Sequence, residues 1–311
     1  MRSATRAIAG VAGLAVVAGC GTWSNEDIAF VEALPTSQAL QVVLPASAGK
    51  ALCAPPGPSQ VWGWAKPAGD GLNALVDLML GFVDLVKSMT PTTRKLDART
   101  WGPFDDSKHP GMEVRVTMTR TRDADGTPVY AYAFEARPKG GTYQTVLDGT
   151  FRGESASRGR GEFALHFGTL RALGMDDNPA ADPTGDLTAQ YDKTGDPRTV
   201  GLDVQTQTAR LAAFDYGYAG YANGNGFFHY VFTNPQQQQY VVDAHFDAAG
   251  EGRADVTVVL SPTLSLGYSE CWDGAGCVTN VDDKSVGAIF PDGISKLCTG
   301  GVCPSGACPS L

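Results

Sequence analysis

Apolar residues recur at every second position through the middle of this chain. Met112, Val114, Val116 and Met118 alternate with Glu113, Arg115, Thr117 and Thr119, the pattern of a strand with one dry and one wet face. After the turn Asp123-Ala-Asp-Gly126 the alternation resumes at Tyr130, Tyr132 and Phe134. Similar runs occupy Tyr143 to Phe151, Glu162 to Thr169, Asp186 to Asp192, Thr199 to Gln205, Phe227 to Thr233, Gln239 to Phe246 and Ala254 to Leu260. Glycine-rich stretches such as Pro138-Lys-Gly-Gly141 and Asn223-Gly-Asn-Gly226 join several of them. The look-alike strings Gly159-Arg-Gly-Glu-Phe163 and Gly250-Glu-Gly-Arg-Ala254 precede strands and read as turns, because a dinucleotide site needs a glycine turn that opens a helix.

A helical period governs residues 70–89. Asp70 can cap the start and Pro91 stops extension beyond the end. Leu72, Leu75, Val76, Leu78, Met79, Leu80, Phe82, Val83, Leu85 and Val86 cover most of the circumference. Asn73, Asp77, Gly81, Asp84 and Ser88 leave only a narrow wet stripe, so the helix must be largely buried. It is expected to pack across a sheet; a lid over an apolar cavity is the sharper reading.

These patterns predict a mainly β fold, an antiparallel meander of about nine strands with one apolar helix packed on it. So long a sheet tends to curl, which favours a half-barrel or barrel. The architecture resembles lipocalins and the periplasmic lipoprotein carriers with an open barrel and helical lid. Fold alone transfers no activity. With Trp101-Gly-Pro-Phe104 leading the sheet, the chain also resembles a recurrent kind of β-rich envelope lipoprotein of Gram-negative bacteria.

The first residues change the picture from fold to address. Arg2 and Arg6 precede an apolar stretch from Ala7 to Val17, and no acidic residue occurs before Glu26, which is the layout of an export signal. The stretch is shorter than the roughly 20 residues a membrane-spanning helix needs. Val17-Ala18-Gly19-Cys20 resembles the lipobox of bacterial lipoproteins. The resemblance implies cleavage after Gly19, lipid on Cys20 and a membrane-lipid partner. Gly21, where enteric bacteria place Asp to retain lipoproteins in the inner membrane, favours the outer membrane. The expected organisation is a signal peptide over 1–19, a Pro-rich tether over 20–68, the β-domain over 69–262 and an irregular Cys-rich segment over 263–311.

Charge and cysteines refine that address. The chain has 24 Lys and Arg against 33 Asp and Glu, and loss of Arg2 and Arg6 deepens the formal charge to −11. Nucleic acid, which demands concentrated cations, is excluded as a partner. Besides Cys20 there are Cys53, Cys271, Cys277, Cys298, Cys303 and Cys308, an even set suited to disulfides in an oxidising compartment. Cys271 with Cys277, or Cys53 with the C-terminal segment, are the candidate pairings. Their spacing lacks C-x-x-C pairs and includes no His, so no metal and no cofactor is expected.

Catalytic motifs are sparse. Gly267-Tyr-Ser-Glu-Cys271 lacks the last glycine of a nucleophile elbow, and neither H-E-x-x-H nor a phosphate loop occurs. His166 and His229 fall on the polar side of their strands; His109 is the fourth histidine beside His245. Asp243-Ala-His-Phe-Asp247 is the densest local group of ionisable side chains, making Asp243, His245 and Asp247 the candidate ligand or active-site residues. Asp176, Asp177, Asp182 and Asp186 lack the order of a calcium loop. The aromatic run Tyr216, Tyr218, Tyr221, Phe227, Phe228 and Tyr230 suits core packing, with a ligand pocket or glycan surface as the alternative. The sequence therefore predicts an anchored, non-enzymatic envelope lipoprotein whose β-domain binds a hydrophobic small molecule or an envelope protein, or is structural. The alternative is an exported hydrolase using strand-borne Asp and His.

Overall fold

The computed structural model describes residues 23–36, 40–42, 53, 57–63, 70, 73, 76, 80–155, 158–175, 185–206, 213–233 and 237–283. Fourteen strands follow one another in a single antiparallel meander: β1 (Thr93–Lys95), β2 (Ala98–Asp105), β3 (Met112–Arg122), β4 (Pro128–Pro138), β5 (Gln144–Ser155), β6 (Arg158–His166), β7 (Gly185–Asp192), β8 (Arg198–Thr206), β9 (Ala213–Gly220), β10 (Gly226–Thr233), β11 (Gln239–Phe246), β12 (Gly252–Ser261), β13 (Leu264–Trp272) and β14 (Val278–Asp283). The sheet is open, with β1 and β14 as its edges among the described residues. Among the described residues, besides helical turns at residues 60–63 and at Asp70, Asn73 and Val76, the sheet is accompanied by α1 (Asn25–Glu32), α2 (Gly81–Ser88) and α3 (Phe167–Ala172).

The mainly β meander is as expected, but the strand count rises from nine to fourteen. The additional strands are β1, β2, β9, β13 and β14. β2 is interrupted at Gly102-Pro103, where its register against β3 shifts between Trp101 and Phe104. β9 keeps its apolar period at Phe214, Tyr216 and Tyr218, with glycine in place of a polar residue at Gly217. β13 and β14 lie in the stretch expected to be irregular and cysteine-rich, a boundary the structure corrects because ladder hydrogen bonds join β13 to β12 and β14 to β13. The Glu162 to Thr169 run is also shorter as a strand than expected: the chain leaves β6 at His166 and turns into α3.

One face of the sheet is covered. Buried side chains from β2 through β13 join a single hydrophobic cluster with Phe30, Leu34, Leu40, Val42, Val61, Trp62, Val76, Leu80, Val83 and Val86, and the partly buried Val281 of β14 packs against it. The segment expected as a tether therefore contributes core. Its start is a capping box: Ser24 Oγ accepts from Asp27 N at 3.1 Å while Ser24 N donates to Asp27 Oδ2 at 3.0 Å, satisfying two donors of the first turn. Asp27 is inaccessible to solvent and pairs with Arg99 at 2.6 Å and Arg94 at 3.0 Å. Burial alone would raise its pKa, but the Ser24 N–H, Arg99, the Ser24 hydroxyl and Arg94 together hold it far below the usual carboxylate range. Phe30, one turn on, packs edge-on against Tyr130 at 5.3 Å under the Arg99 guanidinium. Truncating such a buried ring to Ala costs roughly 3–5 kcal/mol.

The helix expected over 70–89 is described as α2 with helical turns at Asp70, Asn73 and Val76. Val76, Leu80, Val83 and Val86 are buried, as its pattern requires. Asn73 is not simply wet. Its side chain accepts from Val42 N at 2.8 Å and donates to Val42 O at 3.0 Å, so it pairs the helix with the incoming chain.

A third N-terminal segment closes the other side. Pro58 bridges Cys277, Ser59 N donates to Gly276 O, and a disulfide joins Cys53 to Cys277. Trp62 packs against Phe246 and Trp272 with centroids at 6.0 and 5.8 Å. The chain before β1 thus touches both ends of the sheet, near β1 and β2 through Asp27 and near β14 through Cys53. No described helix is long and apolar enough to cross a membrane.

Covered-face glycines make room for this packing. A Cβ on Gly161 would lie 2.7 Å from the Tyr191 hydroxyl, and one on Gly226 or Gly252 would overlap the Phe246 or Trp272 ring. The strings Gly159-Arg-Gly161 and Gly250-Glu-Gly252 are therefore not equivalent turns. Gly159 and Gly161 lie inside β6 beneath aromatic rings, while Gly250 occupies the β11–β12 turn with φ 87°.

Candidate binding site on the open face

The other face of the sheet carries the polar half of each strand, and cross-strand register arranges it in rows. One row reads Arg152, Arg160, Asp192, Thr199, Ala219, Phe227, His245 and Arg253 from β5 to β12. The next reads Thr150, Glu162, Gln190, Gly201, Gly217, His229, Asp243 and Asp255. Apart from Thr150, side chains are longer on β5 to β7 and on β10 to β12 and shrink to Thr, Ala and a directly opposed glycine pair at β8 and β9. The result is an open groove of about 780 Å³, within the size range of small-ligand sites.

Its floor is bare by sequence. A Cβ on Gly201 would meet nothing closer than the Tyr216 carbonyl at 3.9 Å, and one on Gly217 nothing closer than the His229 carbonyl at 4.0 Å. On one wall stand Arg160, Glu162, Gln190 and Asp192; on the other is Phe227, whose ring packs on His245 at 4.5 Å. Thr194, through its hydroxyl and then its N–H, holds the Asp192 carboxyl below the usual range, and Arg160 adds to this against partial burial. At the upper end Arg152 is held by Asp123 and by Asp125, the latter at 2.5 Å. The lining has two arginines against three carboxylates. It offers donors and acceptors side by side without a dominant charge.

The candidate trio does not converge. Asp243 accepts from His229 Nδ1 on β10 at 2.7 Å, His245 packs at a tilt against Phe227, and Asp247 caps the β11–β12 turn by accepting from Ala249 N and Glu251 N at 2.9 Å each. His166, passed over as a site residue, bridges Asp148 at 2.7 Å and Asp186 at 2.9 Å. These bonds raise its pKa against the opposing effect of burial. Among the described residues none of His166, His229 and His245 hydrogen-bonds a hydroxyl or thiol. The expected aromatic run divides by parity: Tyr216, Tyr218, Phe228 and Tyr230 are buried on the covered face, and Phe227 joins the groove.

Of the cysteines, Cys53 and Cys277 are joined and Cys271 is also disulfide-bonded, which rules out a Cys271–Cys277 loop. Gly19, Cys20, Cys298, Cys303 and Cys308 lie outside the described residues, as do Asp176, Asp177 and Asp182. Among the described residues no group of three His, Cys, Asp or Glu side chains is placed to hold a metal ion.

Glu270 was not legible as special. It is fully buried on β13, accepting from the Ser59 hydroxyl, from Val61 N at 2.9 Å and from the Tyr268 hydroxyl at 2.8 Å. Burial raises its pKa despite those bonds. The carboxylate anchors the helical turn at residues 60–63 to the sheet.

Comparison with family models, curated proteins and solved structures finds no match. The site is therefore read from its own geometry.

Proposed function

We propose that this chain is an exported envelope lipoprotein, cut after Gly19 and held by lipid on Cys20, whose β-domain is a non-enzymatic binding module favouring the outer membrane. The sheet is curled around its own N-terminal segments as a half-barrel. Fourteen strands laid flat would span about 62 Å, yet the buried cluster bridges them from Trp101 to Trp272.

The observation that carries this reading is the Cys53–Cys277 disulfide. Disulfides persist in oxidising compartments outside the cytosol, in keeping with the lipobox-like Val17-Ala18-Gly19-Cys20. The same crosslink holds Trp62 and its neighbours on the covered face, where a carrier would keep its ligand cavity. Binding then falls to the open face, where the groove lies. A hydrolase with an imidazole-activated serine or cysteine finds no support, because the histidines of the sheet are committed to carboxylates and a ring.

The test is labelled palmitate incorporation in a Gram-negative host. Label on the wild-type chain and none on Cys20→Ala is the expected result. An unlabelled wild type, or label surviving that substitution, overturns the anchor.

A further inference from the structure

We infer that the open-face groove over Gly201 and Gly217 is a binding site for a neutral oligosaccharide. The inference rests on reading the β-domain as a binding module, not on the lipid anchor.

Shape comes first. β7 and β10, which carry facing walls, are three strand spacings apart, about 14 Å. Between them the side chains are hydrogen, hydrogen, methyl and a threonine, so a flat ring can lie against the sheet. Glycine weakens a strand interior, and two glycines directly opposite each other on adjacent strands are a double weakness. On the covered face such glycines are filled by aromatic rings. On this face nothing fills them, so packing within the protein does not explain them.

Chemistry selects the ligand. Each sugar hydroxyl both donates and accepts, and the wall supplies a guanidinium at Arg160, carboxylates at Glu162 and Asp192, and an amide at Gln190. The aromatic edge at Phe227 suits the C–H face of a pyranose ring. An anionic chain meets three carboxylates against two arginines, one of which, Arg152, is already paired with Asp123 and Asp125. A lipid chain would meet Val129, Ala219 and Phe227, but beside them the five charged side chains of the lining. An extended peptide binds sheets through free backbone groups at an edge, whereas those of β8 and β9 are consumed by neighbouring strands on both sides.

The glycines also provide a variant that separates folding from binding. Gly201 and Gly217 have ordinary negative-φ backbones with open space at the Cβ position, and a β-branched residue suits a strand. Gly217→Val and Gly201→Val should fold with an unchanged or higher melting temperature while raising the groove floor.

The experiment is saturation-transfer NMR and calorimetry on the purified full-length protein in detergent, with chitotetraose, cellotetraose and maltotetraose as probes. At least one should bind with millimolar or tighter affinity, and Gly217→Val should weaken it at least tenfold. Phe227→Ala should weaken it several-fold. Absence of binding by all three, or binding that persists in folded Gly217→Val, overturns the inference. So does saturation by an anionic polysaccharide such as a heparin fragment with no response to the neutral probes. A chain that labels with palmitate yet binds no sugar loses only this inference; one that binds sugar but takes no label loses only the anchor.

Discussion

The two faces of this sheet are made from the same strands and treat glycine in opposite ways. On the covered face, Gly161, Gly226 and Gly252 sit beneath Tyr191, Phe246 and Trp272, and the vacant Cβ position is the space the ring occupies. On the open face, Gly201 and Gly217 have nothing above them. The contrast teaches that a missing side chain has no fixed meaning in a strand. It is a packing device where a neighbour fills the gap, and it is an opening where none does.

The largest way to break this asymmetry is to release what covers one face. Cys53→Ser with Cys277→Ser removes a crosslink between residues 224 apart in sequence, which should cost about 2–5 kcal/mol. The urea midpoint should fall, and Trp62 should become accessible to a fluorescence quencher. A shielded Trp62 in the variant would show that packing alone holds the segment down.

Glycine substitutions sharpen the comparison directly. Gly252→Ala and Gly226→Ala force a methyl group into an aromatic ring and should destabilise by about 1–3 kcal/mol. Gly201→Ala and Gly217→Ala should be neutral or stabilising by up to about 1 kcal/mol, since Ala restricts the unfolded chain. Thermal unfolding of the four variants measures the difference. Equal effects on both faces would contradict the contrast.

Titration gives the smallest effects. Glu270 on the covered side has a raised folded pKa because burial outweighs its hydrogen bonds. Its contribution to stability is therefore full below the unfolded glutamate value and is lost as pH rises through the folded one. Glu270→Gln should flatten that decline in a plot of urea midpoint against pH. His166 on the open face is also raised, by Asp148 and Asp186 against burial, so its contribution is likewise full at low pH and lost as pH rises through its folded pKa. The His166→Gln effect should be the weaker, because both carboxylates are half exposed and solvent screens the pair.

Much of the sheet could be read from alternation. Every run from Met112 to Leu260 that kept the period became a strand, and parity placed Tyr216, Tyr230 and Phe228 inside with His229 outside. Of the strands that escaped, β2 is broken at Gly102-Pro103, β13 carries Gly267 and Cys271, and β1, with three residues, is too short to show a period. The N-terminal stretch was misread because prolines signal a tether; the capping box at Ser24-Asn-Glu-Asp27 was the available contrary sign. The candidate trio on β11 failed for a related reason. Residues two apart share a face, but their hydrogen-bond partners come from neighbouring strands, which gave Asp243 to His229 and His245 to Phe227.

The sequence by itself determined the class of structure, since period-two alternation can satisfy its dry face only by forming a sheet, and short turns between runs allow only a meander. It also determined which face each strand residue takes. Tertiary structure alone decided what stands above each residue: a ring over Gly252, open space over Gly217, a serine hydroxyl and backbone N–H groups on Glu270. Those neighbours come from strands or segments distant in sequence, and register and folding-over bring them together through contacts that no local pattern encodes.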